Sequence, residues 1–243
     1  MVTAIQGQGT TEQQWLPFLE ALDLPELSLD PLPTRVTVVA PHPDDEVLGC
    51  GGLISMLGAL GVPVDLVAVT DGEASNPGGS VTPADLAVLR RQETGAALAQ
   101  LCVPDRVCYL GLPDGAAGRL QTPVLEALRC PRDSWLIGPW SGDGHPDHEA
   151  VGRACEVVAE RDGARLLSYP IWAWHWAAPH TEQVPWARAR RISLPLPTQA
   201  AKARAVGCFT SQIAPLGPLP ADSPVLPPWV LDRFTRPSEV VLT

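Results

Sequence analysis

The chain has 243 residues, 45% of them apolar and 18% charged, and a net charge of −10. That length suffices for one large α/β domain with a substantial core. The acidic balance, without any long basic run, argues against nucleic acid or an anionic membrane surface as the main partner, and no stretch approaches the roughly 20 apolar residues of a transmembrane helix.

The first eight residues, Met1-Val2-Thr3-Ala4-Ile5-Gln6-Gly7-Gln8, lack a basic start and an apolar run, so no signal peptide is expected and the protein is expected in the cytoplasm. The six cysteines show no CxxC spacing and read as reduced, mostly buried small hydrophobes, with Cys50 notable for following a polar motif closely. A short helix is predicted over 11–22, started or interrupted by Pro17. Prolines crowd 25–33 and 215–228, as in extended segments wrapping a compact body.

The apolar run 35–40 predicts a strand, followed by a helix over 45–60 with Val47, Leu48, Leu53, Ile54 and Leu57 on its apolar face. Residues 64–70 are near-continuously apolar, as parallel strands covered on both faces are. A helix over 83–101 is signalled by Thr82 as N-cap and Pro83 at its first position. Strands at 106–110, 135–138 and 166–171 alternate with helices at 122–129 and 147–160. Further on, a strand is expected at 189–194 and a helix near 198–207. Alternation of this kind predicts a Rossmann-like three-layer α/β fold, a mainly parallel sheet with helices on both faces. The chain 1–243 reads as one domain, with a motif-bearing core at 35–175 and a Pro/Trp-rich part at 176–243.

Two polar motifs sit at predicted strand ends. Ala40-Pro41-His42-Pro43-Asp44-Asp45-Glu46 follows the first strand, and Gly144-His145-Pro146-Asp147-His148-Glu149 follows the fourth. In open α/β sheets ligands bind outside the carboxyl ends of the strands, so these loops converge with those at Asp71 and Asp114. A catalytic zinc site takes three protein ligands from His, Asp or Glu and leaves one position open. His42 and Asp45 can reach one ion, and His148 is the natural third ligand. Asp44 is placed as the general base, and His145 as the group that stabilises an oxyanion or protonates a leaving amine. Asp147 would hydrogen-bond His145 or His148 and fix its orientation. N-capping explains the acidic residues equally well, but not three of the chain's five histidines. Gly49-Cys50-Gly51-Gly52 lacks dinucleotide-loop spacing and reads as close helix–sheet packing.

With Thr70-Asp71-Gly72-Glu73, Arg90-Arg91-Gln92-Glu93 and Leu110-Gly111-Leu112-Pro113-Asp114-Gly115, these motifs make the sequence resemble the LmbE-like, or PIG-L-like, zinc-dependent N-deacetylases over roughly 35–160. The resemblance implies removal of acetyl from an N-acetylglucosamine-type conjugate, a small-molecule substrate, using zinc or another divalent metal such as Fe2+. It carries the metal ligands onto His42, Asp45 and His148, the base onto Asp44, and the assisting histidine onto His145 beside Asp147. It implies substrate contacts at Arg90 and Asp114. For those two, a solvated helix charge and a turn residue are the alternatives. The same site acting on another acyl amide or ester, or a non-catalytic metal-binding relative, are the rival functions. Trp172, Trp174 and Trp176 would share one face of an extended segment, as a hydrophobic clasp or a stacking platform, with His175 and His180 packed or on the surface. Ser211-Gln212 and Ser238-Glu239 carry no assigned chemistry.

Overall fold

The computed structural model describes residues 7–102 and 104–243; the segment 1–6, most of the stretch behind the signal-peptide expectation, lies outside the described residues. The strands are β1 (Val36–Ala40), β2 (Val64–Thr70), β3 (Arg106–Leu112), β4 (Trp135–Pro139), β5 (Arg165–Tyr169), β6 (Ala189–Ser193) and β7 (Ser238–Leu242). They form one sheet in the order β3-β2-β1-β4-β5-β7-β6. The first five run parallel, and β7 is antiparallel to both β5 and β6. β7 was not foreseen: its apolar run Val240-Val241-Leu242 is too short to stand out without its partner strands.

The helices are α1 (Glu12–Leu22), α2 (Asp45–Ala59), α3 (Pro83–Leu101), α4 (Gln121–Ala127), α5 (Pro146–Asp162), α6 (Ala173–Trp176), α7 (Leu196–Val206), α8 (Thr210–Ile213) and α9 (Pro228–Leu231). α2, α3 and α7 pack on one another, and α4 packs on α5. Successive residues of β1 point to opposite faces, so Val38 joins the core under α2 while Val39 joins the core under α5. Thr82 caps α3 as expected, its hydroxyl accepting the Asp85 N–H at 3.2 Å, an arrangement that stabilises by about 1 kcal/mol.

Gly49 and Gly52 do serve close packing. A Cβ at Gly49 would lie 2.4 Å from the Tyr169 ring, and one at Gly52 would lie 2.5 Å from Leu194. Between them α2 breaks at Cys50 (φ −148°, ψ 21°). Lys202 Nζ donates to the Leu48 carbonyl at 2.9 Å and to Glu239 at 2.7 Å. Glu239 in turn accepts the N–H groups of Gly52 and Leu53 at 2.6 and 2.9 Å. A buried ion pair therefore takes up backbone groups on both sides of the break.

The lead-in helix runs through Pro17, with Trp15 buried against Trp174 and Trp186. Farther on, Glu26 bridges to Arg191 beside the β6 edge, so the proline-rich lead-in does wrap the body. All six cysteines are free; Cys50, Cys130 and Cys155 are buried, the other three half-buried. No described helix is long and apolar enough to cross a membrane.

Candidate active site

Strand order reverses between β1 and its neighbour β4: from β1 the chain proceeds outward to β2 and β3, from β4 to β5. The loops after these two strands part, and the crevice between them is where an α/β sheet binds its ligand. The turn after β1 is anchored from both sides. Thr70 donates through its hydroxyl to the Pro41 carbonyl at 2.8 Å, and Gln212 Nε2 donates to the Pro43 carbonyl at 2.5 Å. So held, Asp44 takes φ +109°, outside the relaxed regions for a non-glycine residue. It stands at the N-cap position of α2, yet its carboxylate makes no capping hydrogen bond. At the other motif the cap of α5 is His145, whose Nδ1 accepts the Asp147 N–H at 3.3 Å.

These two helix starts bring His42, Asp45 and His148 together. His42 Nδ1 lies 3.2 Å from His148 Nε2 and 3.3 Å from Asp45 Oδ2, and His148 Nε2 lies 3.1 Å from Asp45 Oδ2. Ligand atoms about 2.0–2.2 Å from a tetrahedral ion are about 3.3–3.6 Å apart, so the triangle is close to the size of one face of such a site. The surrounding charge also favours a cation. Burial opposes a charge on His42, but hydrogen bonds to Asp114, Asp147 and Asp45 hold its pKa well above the usual imidazole range. Burial likewise opposes charge on His148, yet Asp45 and Asp143 raise its pKa to about 9. Asp45 is buried too, and the two imidazoles hold its carboxyl far below the usual range. The residues present therefore fit a divalent metal. His145 brings a ring nitrogen within 4.8 Å of those of His42 and His148, and His42 with Asp114 and Asp147 forms a second such group.

Both imidazoles are oriented by carboxylates behind them. His148 Nδ1 is 2.8 Å from Asp143 Oδ2, which places the proton on Nδ1 and leaves the Nε2 lone pair facing Asp45 and His42. His42 Nε2 is 3.2 Å from Asp114 Oδ1 and 3.3 Å from Asp147 Oδ2, which leaves Nδ1 facing inward by the same logic. Asp147 does hydrogen-bond His145 as expected, but through its backbone N–H; its carboxylate lies instead against His42 and the Gly115 N–H (2.9 Å). The carboxylate behind His148 is that of Asp143. Asp143 immediately precedes the 144–149 motif, on the turn closed by its N–H to the Trp140 carbonyl at 3.2 Å, and nothing in its immediate sequence marks it.

Asp143 has no solvent exposure and also accepts the N–H groups of Ile171, Trp172 and Ala173 at 2.9, 2.9 and 3.0 Å. It thus caps the turn that becomes α6, and this overturns the extended reading of the tryptophans. They fan out instead: Trp172 lies over His145 (5.2 Å between ring centres, 32°), Trp174 meets Trp15 edge-on, and Trp176 Nε1 donates to the Asp143 carbonyl at 2.7 Å. His175 lines the central pocket, and His180 is exposed beside Phe18.

Burial, then the adjacent Asp45 and Glu46 charges, raise the proton affinity of Asp44 well above the carboxylate range. Burial and the cationic field of His148 and His42 push His145 down to about 3, so its imidazole is neutral near pH 7. With Nδ1 accepting from Asp147, the His145 proton resides on Nε2. Both residues line one central pocket. Arg90 lines it as well and is 1% exposed, which removes the solvated-charge alternative. Its Nη1 donates to the Gly72 carbonyl at 2.7 Å, while Nη2 has no protein partner. Glu93 accepts from Thr210 and Ser211 at 2.6–2.7 Å and fixes α8, which carries Gln212. Asp114 accepts the Ala74 N–H at 3.0 Å and lines the same pocket. Asp71 is committed to Arg91 in a two-pronged pair at 2.8 and 2.6 Å.

Comparison with known proteins accords with this geometry. The chain is 30% identical over 124 residues to diacetylchitobiose deacetylase from Thermococcus kodakarensis, an alignment covering 49% of this chain and 46% of that enzyme, so the match spans about half the relative's length. It is 31% identical over 217 residues to 1D-myo-inositol 2-acetamido-2-deoxy-alpha-D-glucopyranoside deacetylase from Streptomyces avermitilis, covering 71% and 70% of the two chains. Its fold is similar to that of the zinc-inhibited form of teicoplanin deacetylase Orf2, with a TM-score of 0.59 and 20% identity over 74% of this chain and 85% of that one. Residues 37–159 match the PIG-L family model, described as GlcNAc-PI de-N-acetylase, and the chain belongs to that family.

Proposed function

We propose that this chain, read as one domain over 1–243, is a metal-dependent hydrolase that removes the N-acetyl group from an N-acetylglucosamine-type conjugate. The observation that carries the reading is the juxtaposition of Asp44 with the His42–Asp45–His148 triangle at the central pocket. Relatives named as deacetylases of acetamido sugars support the substrate class. The six free cysteines accord with a reducing compartment, and we assign the protein to the cytoplasm.

His42 Nδ1, Asp45 Oδ2 and His148 Nε2 would hold the metal, zinc or another divalent ion such as Fe2+. When bound, such an ion supplies Lewis acidity, lowering the pKa of water to about 7 and polarising a carbonyl oxygen. Asp44 takes a proton from the attacking water, a task suited to a buried carboxylate of raised proton affinity. His145 presents its Nε2–H to the acetamide oxygen as negative charge develops there, and Trp172 and the Asp147 N–H fix the ring for that contact. Asp44 then returns its proton to the departing amine nitrogen. Arg90 Nη2 and Asp114 supply polar contacts to the sugar.

The test is release of free amine from a panel of N-acetylglucosaminides, with metal-loaded and chelated protein compared. Metal-dependent release is expected. Stoichiometric metal binding without release from any acetylated sugar would move the substrate to another acyl amide or ester.

A further inference from the structure

Part of the pocket wall is built by the tail segment 225–234, from Val225, Leu226, Val230 and Phe234, together with Arg233, on which none of the active-site carboxylates acts appreciably. This segment lies beyond the residues 37–159 that carry the family match. Arg233 is 2% exposed. Its Nε donates to the Thr10 carbonyl at 2.9 Å and its Nη2 to the Gln8 carbonyl, but Nη1 is buried without a protein partner.

No described carboxylate forms an ion pair with Arg233. Of the two acids whose charge reaches it, Glu12 is gripped by Arg236 through two contacts at 2.7 Å, and Asp232 is exposed. Arg236 adds a second positive charge nearby, and burial together with that charge lowers the Arg233 pKa. Arg90, on the same pocket, differs in this respect: Asp44, Asp114, Glu93 and Glu73 all act on it with favourable charge. A buried guanidinium held only by carbonyl oxygens is stabilised by an anion that brings charge and an acceptor together. A tail that merely closed the pocket would need no cation there.

We propose that Arg233 is a specificity-determining residue that pairs with an anionic group, a carboxylate or a phosphate, on the part of the substrate remote from the acetamide. The conjugate is then an acetylated amino sugar whose aglycone crosses an apolar wall and ends in an anion. This rests on the deacetylase reading for the identity of the sugar, while the anion contact is testable without turnover.

The experiment uses three N-acetylglucosaminides with hexyl aglycones ending in methyl, carboxylate or phosphate monoester. For each, kcat/KM is measured on the metal-loaded enzyme, and Kd is measured by calorimetry on metal-loaded Asp44→Asn protein. A charge-assisted hydrogen bond of this kind corresponds to about a 10- to 100-fold preference for an anionic over the methyl-ended ligand. Whichever of the two anions binds tighter identifies the class. Arg233→Gln is expected to collapse the anion-to-methyl ratio toward one, and Arg233→Lys to restore part of it. If the variants do not fold, a wild-type anion-to-methyl ratio near one still overturns the proposal. Turnover of all three ligands with equal kcat/KM and Kd overturns the proposal and leaves the deacetylase reading standing. Anion-selective binding that Arg233→Gln abolishes, without any amine release, sustains the Arg233 assignment while removing the deacetylase reading.

Discussion

Replacing Asp143 by Asn should weaken metal binding although Asp143 would touch no metal. The carboxylate serves four donors: Oδ1 accepts from Ile171 and Ala173, and Oδ2 from Trp172 and His148. An asparagine has one acceptor oxygen, so two donors must face its NH2 group. If the oxygen takes the Oδ2 position, the N–H groups of Ile171 and Ala173 are both orphaned. If it takes the Oδ1 position, only the Trp172 N–H is orphaned, because His148 can exchange its tautomer and accept at Nδ1. One buried orphan donor costs about 1–3 kcal/mol, so the second arrangement wins by that margin. Its consequence is a proton on His148 Nε2, pointed at Asp45 Oδ2 only 3.1 Å away, which removes the lone pair the ion needs. Stability should fall by about 1–3 kcal/mol, a drop in Tm of roughly 2–12 °C for a chain of this size. Metal affinity should fall by about 10- to 100-fold, the usual effect of removing a carboxylate behind a ligating histidine. Competition with a chelating dye, on protein shown by circular dichroism to be folded, measures the affinity. Wild-type metal affinity in folded Asp143→Asn would refute the tautomer argument.

Asp44→Asn should lower kcat by about 10²–10⁴-fold while retaining stoichiometric metal; metal content and single-turnover amine release measured together check both halves. His148→Ala should lose the metal itself, read by elemental analysis after dialysis. Replacing Glu239 by Ala strips Lys202 of its partner and exposes the break in α2, which should destabilise by about 3–5 kcal/mol in urea unfolding, whereas the paired change Lys202→Met with Glu239→Leu should recover part of that loss. Gly49→Ala should destabilise by about 1–3 kcal/mol, because its Cβ would meet the Tyr169 ring at 2.4 Å.

Much of the first five strands was legible because each is a run of apolar residues ended by turn chemistry, and a parallel strand buried on both faces needs no alternation to be recognised. Residues 64–70 and 83–101 match their elements end to end. The histidines and Asp45 were legible for a different reason: imidazole and carboxylate together at two strand ends have few structural uses. What escaped was carried by distance in sequence. Asp143 acts on residues 28–30 positions away, Gln212 holds the turn at Pro43 from 169 positions away, and Glu239 reaches α2 from 186–187 away. The tryptophans were misplaced because alternation was read as a strand, whereas a buried carboxylate offering acceptors to three successive N–H groups begins a helical turn.

The break in α2 joins these two kinds of information. Gly49-Cys50-Gly51-Gly52 cannot sustain a helix on propensity, since each glycine is about 1 kcal/mol worse than alanine in a helix interior. Yet a continuous α2 rich in larger residues would collide with Tyr169 on β5 and with Leu194 after β6. The glycines permit the approach, and Lys202 and Glu239 supply partners for the backbone groups that the break releases. The first turn of α2, held by that arrangement at its far end and by Thr70 and Gln212 at its near end, carries Asp44 in a conformation it would not otherwise keep. The strained backbone at Asp44 and the glycine-rich kink are therefore two ends of one construction. The motif at 40–46 is legible in the sequence, but apart from Thr70 what holds it comes from the last fifth of the chain.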